Sequence, residues 1–152
     1  MEIALKLLAP VLLAGLMLAP AAHARVCAIA IDSTDQMSFS QKELKVAADC
    51  TQVKLTLRHT GKLAATTMGH NWVLTRAADY QPVAMAGMRT SMADSYLPKG
   101  DARVLAHTAV IGGGQSTSVT FSTAKLTKGG DYTFFCSFPG HFAMMKGRFV
   151  FG

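Results

Sequence analysis

The chain lacks a stripe of Lys and Arg interleaved with aromatic residues; its cations are scattered from Lys42 through Lys62 and Arg89 to Arg148. A nucleic-acid surface is therefore not expected. Beyond the amino-terminal end it has no apolar run long enough to cross a membrane, so no stable membrane insertion is expected either. Internal repeats and low-complexity tracts are missing from residues 25–152, which excludes a repeat architecture. No helix-forming stretch follows the glycine triplet 112–114, and without one it is a loop and not a phosphate cradle. Cysteine is scarce as well, with three residues in the whole chain.

What is present begins with a targeting segment. Lys6 supplies a short positive start, residues 7–18 are almost uninterruptedly apolar, and Ala22-His23-Ala24 has the small-x-small form that signal peptidase cuts after. Residues 1–24 read as a cleaved secretory signal, and 25–152 as one domain with enough chain to bury a core. Glu2 and Lys6 cancel, so the net charge of +6 is the same with or without the signal. A mildly basic surface implies solubility and weak steering toward acidic partners. Export implies an oxidising compartment, the periplasm, where thiols tend to pair. Three cysteines survive processing, Cys27, Cys50 and Cys136, and an odd count leaves one sulfur to be explained. At this point any two of them could be the pair.

Hydrophobic periodicity predicts strands. Residues 53–59 alternate with Val53, Leu55, Leu57 and His59 on one face, and residues 118–121 put Val119 and Phe121 inward. Tyr132, Phe134 and Cys136 share a face of 131–136, and 147–151 reads as a final strand. Weaker candidates are 26–31, 43–46, 71–75 and 104–111. Turn signals lie between them at Gly61, 112–114, Gly129-Gly130 and Pro139-Gly140. Residues 76–92, rich in Ala and Met, predict a short helix inserted between strands. The expected class is all-β, an antiparallel sandwich.

Chemistry concentrates in Cys136-Ser137-Phe138-Pro139-Gly140-His141-Phe142-Ala143-Met144-Met145. A strand delivers Cys136, a Pro-Gly turn reverses the chain, and His141 and Met145 follow. A thiolate, an imidazole and a thioether on one loop suit copper: Cu(I) prefers soft sulfur, while imidazole serves both oxidation states. Trigonal His₂Cys with a long axial Met is the geometry of copper electron transfer. A second histidine is then needed, and His70, where a loop enters a strand, is the best candidate. Gly69 before it permits close backbone approach, so its carbonyl can face the metal opposite Met145.

The motif Gly69-His70-Asn71-Trp72, together with Cys-x-Phe-Pro-Gly-His-x-Ala-x-Met at 136–145, resembles the azurin family. Four residues separate Cys136 from His141 and three separate His141 from Met145, a wider first gap than in plastocyanins, amicyanins and pseudoazurins. The resemblance extends over residues 25–152, through Asp35-Gln36-Met37, Ala77-Ala78-Asp79, Tyr96-Leu97, Ala106-His107-Thr108 and Ser118-Val119-Thr120-Phe121. It implies an eight-stranded Greek-key sandwich of cupredoxin type with a helical flap. It also implies one copper ion cycling between Cu(I) and Cu(II), held by His70, Cys136 and His141, with Met145 and the Gly69 carbonyl as distant axial ligands. Asn71 would brace the two ligand loops, and the amides of Asn71 and Phe138 would donate to the Cys136 sulfur, tuning the potential. Redox partners would dock on an apolar patch around His141, at Met37, Leu63, Met68, Met88, Phe138, Pro139 and Ala143. The same resemblance pairs Cys27 with Cys50, a bond worth roughly 3 kcal/mol if chain entropy governs.

Blander roles remain for some of these residues. His59, on an apolar strand face, reads as a core histidine, His107 as a surface residue and Trp72 as a core aromatic. The patch methionines fit equally as core fillers. Phe142 stands where azurins commonly carry a small or polar residue, and a ring there either enlarges the docking patch or partly covers it. The basic balance also departs from the neutral or acidic azurins. The expected function is one-electron transfer without catalysis, as a monomer serving periplasmic c-type cytochromes and copper or quinoprotein oxidoreductases. Copper delivery would use similar soft ligands but release the metal readily. A structural zinc protein would use the same Cys and His residues, and a copper oxidoreductase would usually need a second ligand cluster, which the chain does not display.

Overall fold

The computed structural model describes residues 24–152; the expected secretory signal lies outside them except for its last residue. No helix among the described residues is long and apolar enough to cross a membrane. Nine strand segments form two sheets: β1 (Val26–Thr34), β2 (Ser38–Phe39), β3 (Glu43–Val46), β4 (Gln52–His59), β5 (Val73–Arg76), β6 (Ala106–His107), β7 (Ser116–Ser122), β8 (Tyr132–Phe135) and β9 (Lys146–Phe151). One sheet has the order β2-β1-β4-β7, the other β3-β9-β8-β5-β6. Two of the nine, β2 and β6, are only two residues long.

Side-chain alternation positions the core between the sheets. In β4, Val53, Leu55, Leu57 and His59 are buried, while Lys54 and Arg58 face solvent. From the opposing sheet come Phe134 and Phe149, and the buried Trp72 ring packs within 6.2 Å of both and 6.0 Å from Phe121. Trp72 is thus a core aromatic, each ring contributing a large apolar area removed from water. Expected strand 104–111 shrinks to β6, flanked by loop and ended by an isolated bridge from Ile111 to His70.

The expected antiparallel sandwich is corrected in two places. β1 pairs with β4 in parallel, and β3 with β9 in parallel. After β1 the chain leaves for the other sheet through β3, so its return as β4 runs in the original direction. Both strands therefore start at one end, where a disulfide joins Cys27 to Cys50 with a Cα separation of 5.8 Å. Cys136 is the free cysteine of the described residues and is buried.

Within the expected helical insertion lies α2 (Tyr80–Gly87); α1 (Ala65–Met68) is a single turn earlier in the chain. Pro82 falls in the first turn of α2, where its missing N–H breaks no helical bond. Val83 and Ala84 pack with Val73, Leu97 and Phe135 on the outer face of the five-stranded sheet. Gly87, the last residue of the helix, lets the Tyr96 carbonyl approach closely: a Cβ there would lie 2.0 Å from its oxygen.

This sheet determines where the chemistry gathers. β5 and β9 both run antiparallel to β8, so the starts of β5 and β9 lie beside the end of β8. Cys136 directly follows β8, Met145 directly precedes β9, and His70 lies three residues before β5.

Candidate metal centre

The nitrogen and sulfur atoms of His70, Cys136 and His141 all lie within 4.8 Å of one another, and all three residues are buried. Cys136 Sγ is 3.8 Å from His70 Nδ1 and 3.8 Å from His141 Nδ1, and the two nitrogens are 3.2 Å apart. A point equidistant from the three atoms lies about 2.1 Å from each, close to transition-metal bond lengths to imidazole nitrogen and slightly short for thiolate sulfur. The donor set is soft sulfur with two imidazoles, which suits copper. The residues present therefore fit the ion.

Hydrogen bonding fixes which nitrogen faces the gap. His70 Nε2 lies 2.9 Å from the Thr34 carbonyl, which can only accept, so Nε2 carries the proton and Nδ1 presents its lone pair. Burial pushes the His70 pKa down to about 4, against the Thr34 bond that favours the cation, so the ring is neutral near pH 7. Burial lowers the pKa of His141 too. The Cys136 thiol is pushed up to about 12 by burial, opposed by the amides of Asn71 and Phe138 that point at its sulfur. A thiol in this position gives up its proton when a cation supplies the compensating charge.

A model of the copper-binding proteins of the plastocyanin/azurin family matches residues 25–152. The chain belongs to the plastocyanin/azurin family. An azurin of Bordetella pertussis is 56% identical over 121 residues, covering 80% of this chain and 81% of that protein. An azurin of Pseudomonas fluorescens biotype C is 52% identical over 121 residues, 80% of this chain and 94% of that one. Among solved structures, the azurin Az-iso2 of Methylomonas sp. strain J superposes with a TM-score of 0.80 at 40% identity, covering 83% of this chain and 98% of that chain. As a member of this family the protein is a type 1 copper electron carrier with one copper ion, and not an enzyme.

Around the three donors, the azurin-like motif residues form a braced shell. Asn71 Oδ1 accepts from the Ser137 amide at 2.9 Å, and Asn71 Nδ2 donates to Ser137 Oγ at 2.7 Å and to the Ser95 carbonyl at 3.0 Å. Ser137 Oγ donates to the same carbonyl at 2.6 Å. Asn71 thereby ties the His70 segment to the Cys136 loop and both to the turn after α2. Cys136 N donates to the Met145 carbonyl at 3.0 Å, and Met145 N to that of His141 at 2.8 Å. Met145 is fully buried beside the cluster. Gly69 is buried in extended backbone, and a Cβ on it would meet the Ala65 carbonyl oxygen at 2.3 Å.

His59 is buried, donates Nε2–H to the Met68 carbonyl and accepts from Gly61 N–H, which leaves neither nitrogen for a metal. Its ring stacks on His70 at 4.5 Å. His107 is exposed. Met37, Leu63, Met88, Pro139 and Ala143 are exposed, so Met37 and Met88 are not core fillers, while Met68 and Phe138 are half-buried. Phe138 lies 4.5 Å from the His141 ring. Met88 ends α2 and reaches this group only indirectly, through Gly87 against Tyr96 and Tyr96 against Phe138 at 5.2 Å. Half-buried Phe142 packs against the cluster formed by Val73, Val83, Ala84, Leu97 and Phe135, which joins its loop to the flap.

Motif reading missed three partners: the Thr34 carbonyl on His70, and the Ser95 and Ser137 links to Asn71. The first and second are backbone oxygens from distant segments, which no residue type announces. Ser137, a small polar residue inside the ligand loop, was the one available signal.

Proposed function

We propose that His70, Cys136 and His141 would hold the copper, with Met145 and the Gly69 carbonyl as weaker ligands. The carrying observation is the convergence of two imidazole nitrogens and one sulfur on a point at metal-bond distance from all three. A bound copper ion supplies the one-electron couple. The chain's own residues hold the donors still: Thr34 orients His70, Asn71 couples the two loops, and the amides of Asn71 and Phe138 stabilise the thiolate. Donors that do not move between oxidation states keep reorganisation small, which a carrier needs and a metal-delivery protein does not.

Electrons enter and leave at His141, whose residual exposure of 4% sits among the exposed apolar residues Pro139 and Ala143. Met37, Leu63, Met68, Met88 and Phe138 extend that docking patch. Partners are periplasmic c-type cytochromes and copper or quinoprotein oxidoreductases, met as a monomer after residues 1–24 have been removed on export. The disulfide between Cys27 and Cys50 supports an oxidising compartment.

A visible absorption spectrum taken on adding Cu(II), then reductant, tests the ligand set. An intense red-absorbing band that bleaches and returns is expected, and is lost in Cys136→Ser. No such band despite measured copper uptake would overturn the assignment.

A further inference from the structure

On the outer face of the five-stranded sheet, beside α2, lies a cleft of about 460 Å³ lined by Tyr80, Asp131, Thr133, Lys146 and Arg148 among others. Its volume is in the range of small-molecule sites. Lys146 and Arg148 alternate on β9 and so project from one face, with Thr133 directly opposite Arg148 on β8. The Lys146 ammonium donates to the Tyr80 hydroxyl at 2.8 Å, which uses one of its three protons and holds it beside the ring. Among the described residues neither Lys146 nor Arg148 forms an ion pair, and Asp131 forms none either. The cleft thus holds two unneutralised cations against one carboxylate, next to an aromatic wall and a hydroxyl.

We propose that this cleft binds a small organic anion, a carboxylate or phosphate on a flat apolar body. Arg148 and Lys146 take the charge, Thr133 donates its hydroxyl, and the body lies against the Tyr80 ring. Arg148 is the stronger determinant, because its planar fork matches a carboxylate or phosphate with paired N–H groups. The site lies behind the copper centre: Lys146 follows Met145, and its cross-strand neighbour Phe135 precedes Cys136. A bound anion places negative charge there, favours Cu(II) over Cu(I) and lowers the reduction potential. By reciprocity the cupric protein binds the anion more tightly than the cuprous one. That consequence rests on the proposed ligand set; the binding itself does not.

The test is titration of the copper-loaded, reduced protein with phenyl phosphate, followed through amide chemical shifts. Saturable shifts centred on residues 131–133 and 146–148 are expected, with affinity weakened at least about tenfold in Arg148→Gln and in Lys146→Gln, the loss of a charge-assisted hydrogen bond. Shifts spread over the scattered lysines, or unchanged in both variants, would overturn the site. Inorganic phosphate, which lacks the ring, is expected to bind more weakly; equal affinity would overturn the assignment of an organic ligand. Saturating phenyl phosphate is expected to lower the reduction potential in the parent and not in Arg148→Gln. Local shifts with an unmoved potential would overturn the coupling to copper. The amide shifts do not depend on which residues hold the metal, so a failure of the cleft and a failure of the ligand set are read separately.

Discussion

Thr75 is fully buried on β5, and its hydroxyl has no hydrogen-bond partner. A buried hydroxyl that has lost water and found nothing in exchange opposes folding. Valine has nearly the same shape without the polar atom, so Thr75→Val is expected to stabilise the protein by about 1 kcal/mol. A rise in the denaturant midpoint at unchanged slope checks it; a fall would mean that the hydroxyl is satisfied by water in solution. Trp72 Nε1 is likewise buried and unpaired, but there no isosteric residue exists and phenylalanine would leave a cavity. Thr75 lies on β5 and Trp72 immediately before it. The polar atoms that touch the donors are, by contrast, paired: Asn71 uses both ends of its amide, and His70 its outer nitrogen.

At the scale of elements, the strand alternation was readable from residue types alone: Val53, Leu55, Leu57 and His59 stand on the face where periodicity put them. The ligand loop was readable because a thiol, an imidazole and a thioether lie within ten residues. Pairing direction was not, since a parallel neighbour depends on where the intervening chain crosses, and β3 gives no local sign that it joins the other sheet. The loss of strand at 104–111 was equally hidden, because side-chain pattern there survives while only β6 finds a partner. β4 begins beside the disulfide and ends at His59 against His70, so the bond lies some seven residues, roughly 23 Å at strand rise, from the metal end. The double variant Cys27→Ser/Cys50→Ser is therefore expected to lose roughly 3 kcal/mol of stability while keeping its visible band unchanged. A shifted band would show that the sheet transmits strain along β4.

Loop elements are joined by charge as well. The Asp35 carboxylate accepts from the amides of Lys62 at 2.8 Å and Leu63 at 3.2 Å, tying the turn after β1 to the segment that carries the patch residue Leu63. The Lys62 bond is the main cause holding its pKa below the ordinary value; burial opposes it and the Leu63 bond adds to it. The folded state therefore binds the Asp35 proton less tightly than the unfolded chain. The resulting stability is present above the unfolded carboxylate value of about 3.9 and is lost as pH falls through the lower folded value. Denaturant midpoints of metal-free parent and Asp35→Asn are expected to differ most at neutral pH and to converge below about pH 4. A difference that stays constant with pH would place the effect in loop packing and not in the carboxylate.

For the whole molecule, the net charge of +6 is the property that acts at a distance, and it arises from cations spread over the surface with few acidic neighbours. Spread charge does not create a binding site, but it biases encounter. At low ionic strength a negatively charged redox reagent is drawn in and a positively charged one repelled. Raising salt from about 10 to 200 mM shortens the screening length from roughly 30 Å to under 10 Å and removes most of both effects. Stopped-flow rates for oxidation by hexacyanoferrate(III) are thus expected to fall over that range, and rates for a cationic cobalt(III) complex to rise. The sign decides between two kinds of control: rates insensitive to salt for both reagents would mean that the apolar surface around His141 alone governs encounter, whatever the charge elsewhere. A fall for the anion and a rise for the cation would mean that the basic surface selects acidic partners before the apolar contact forms.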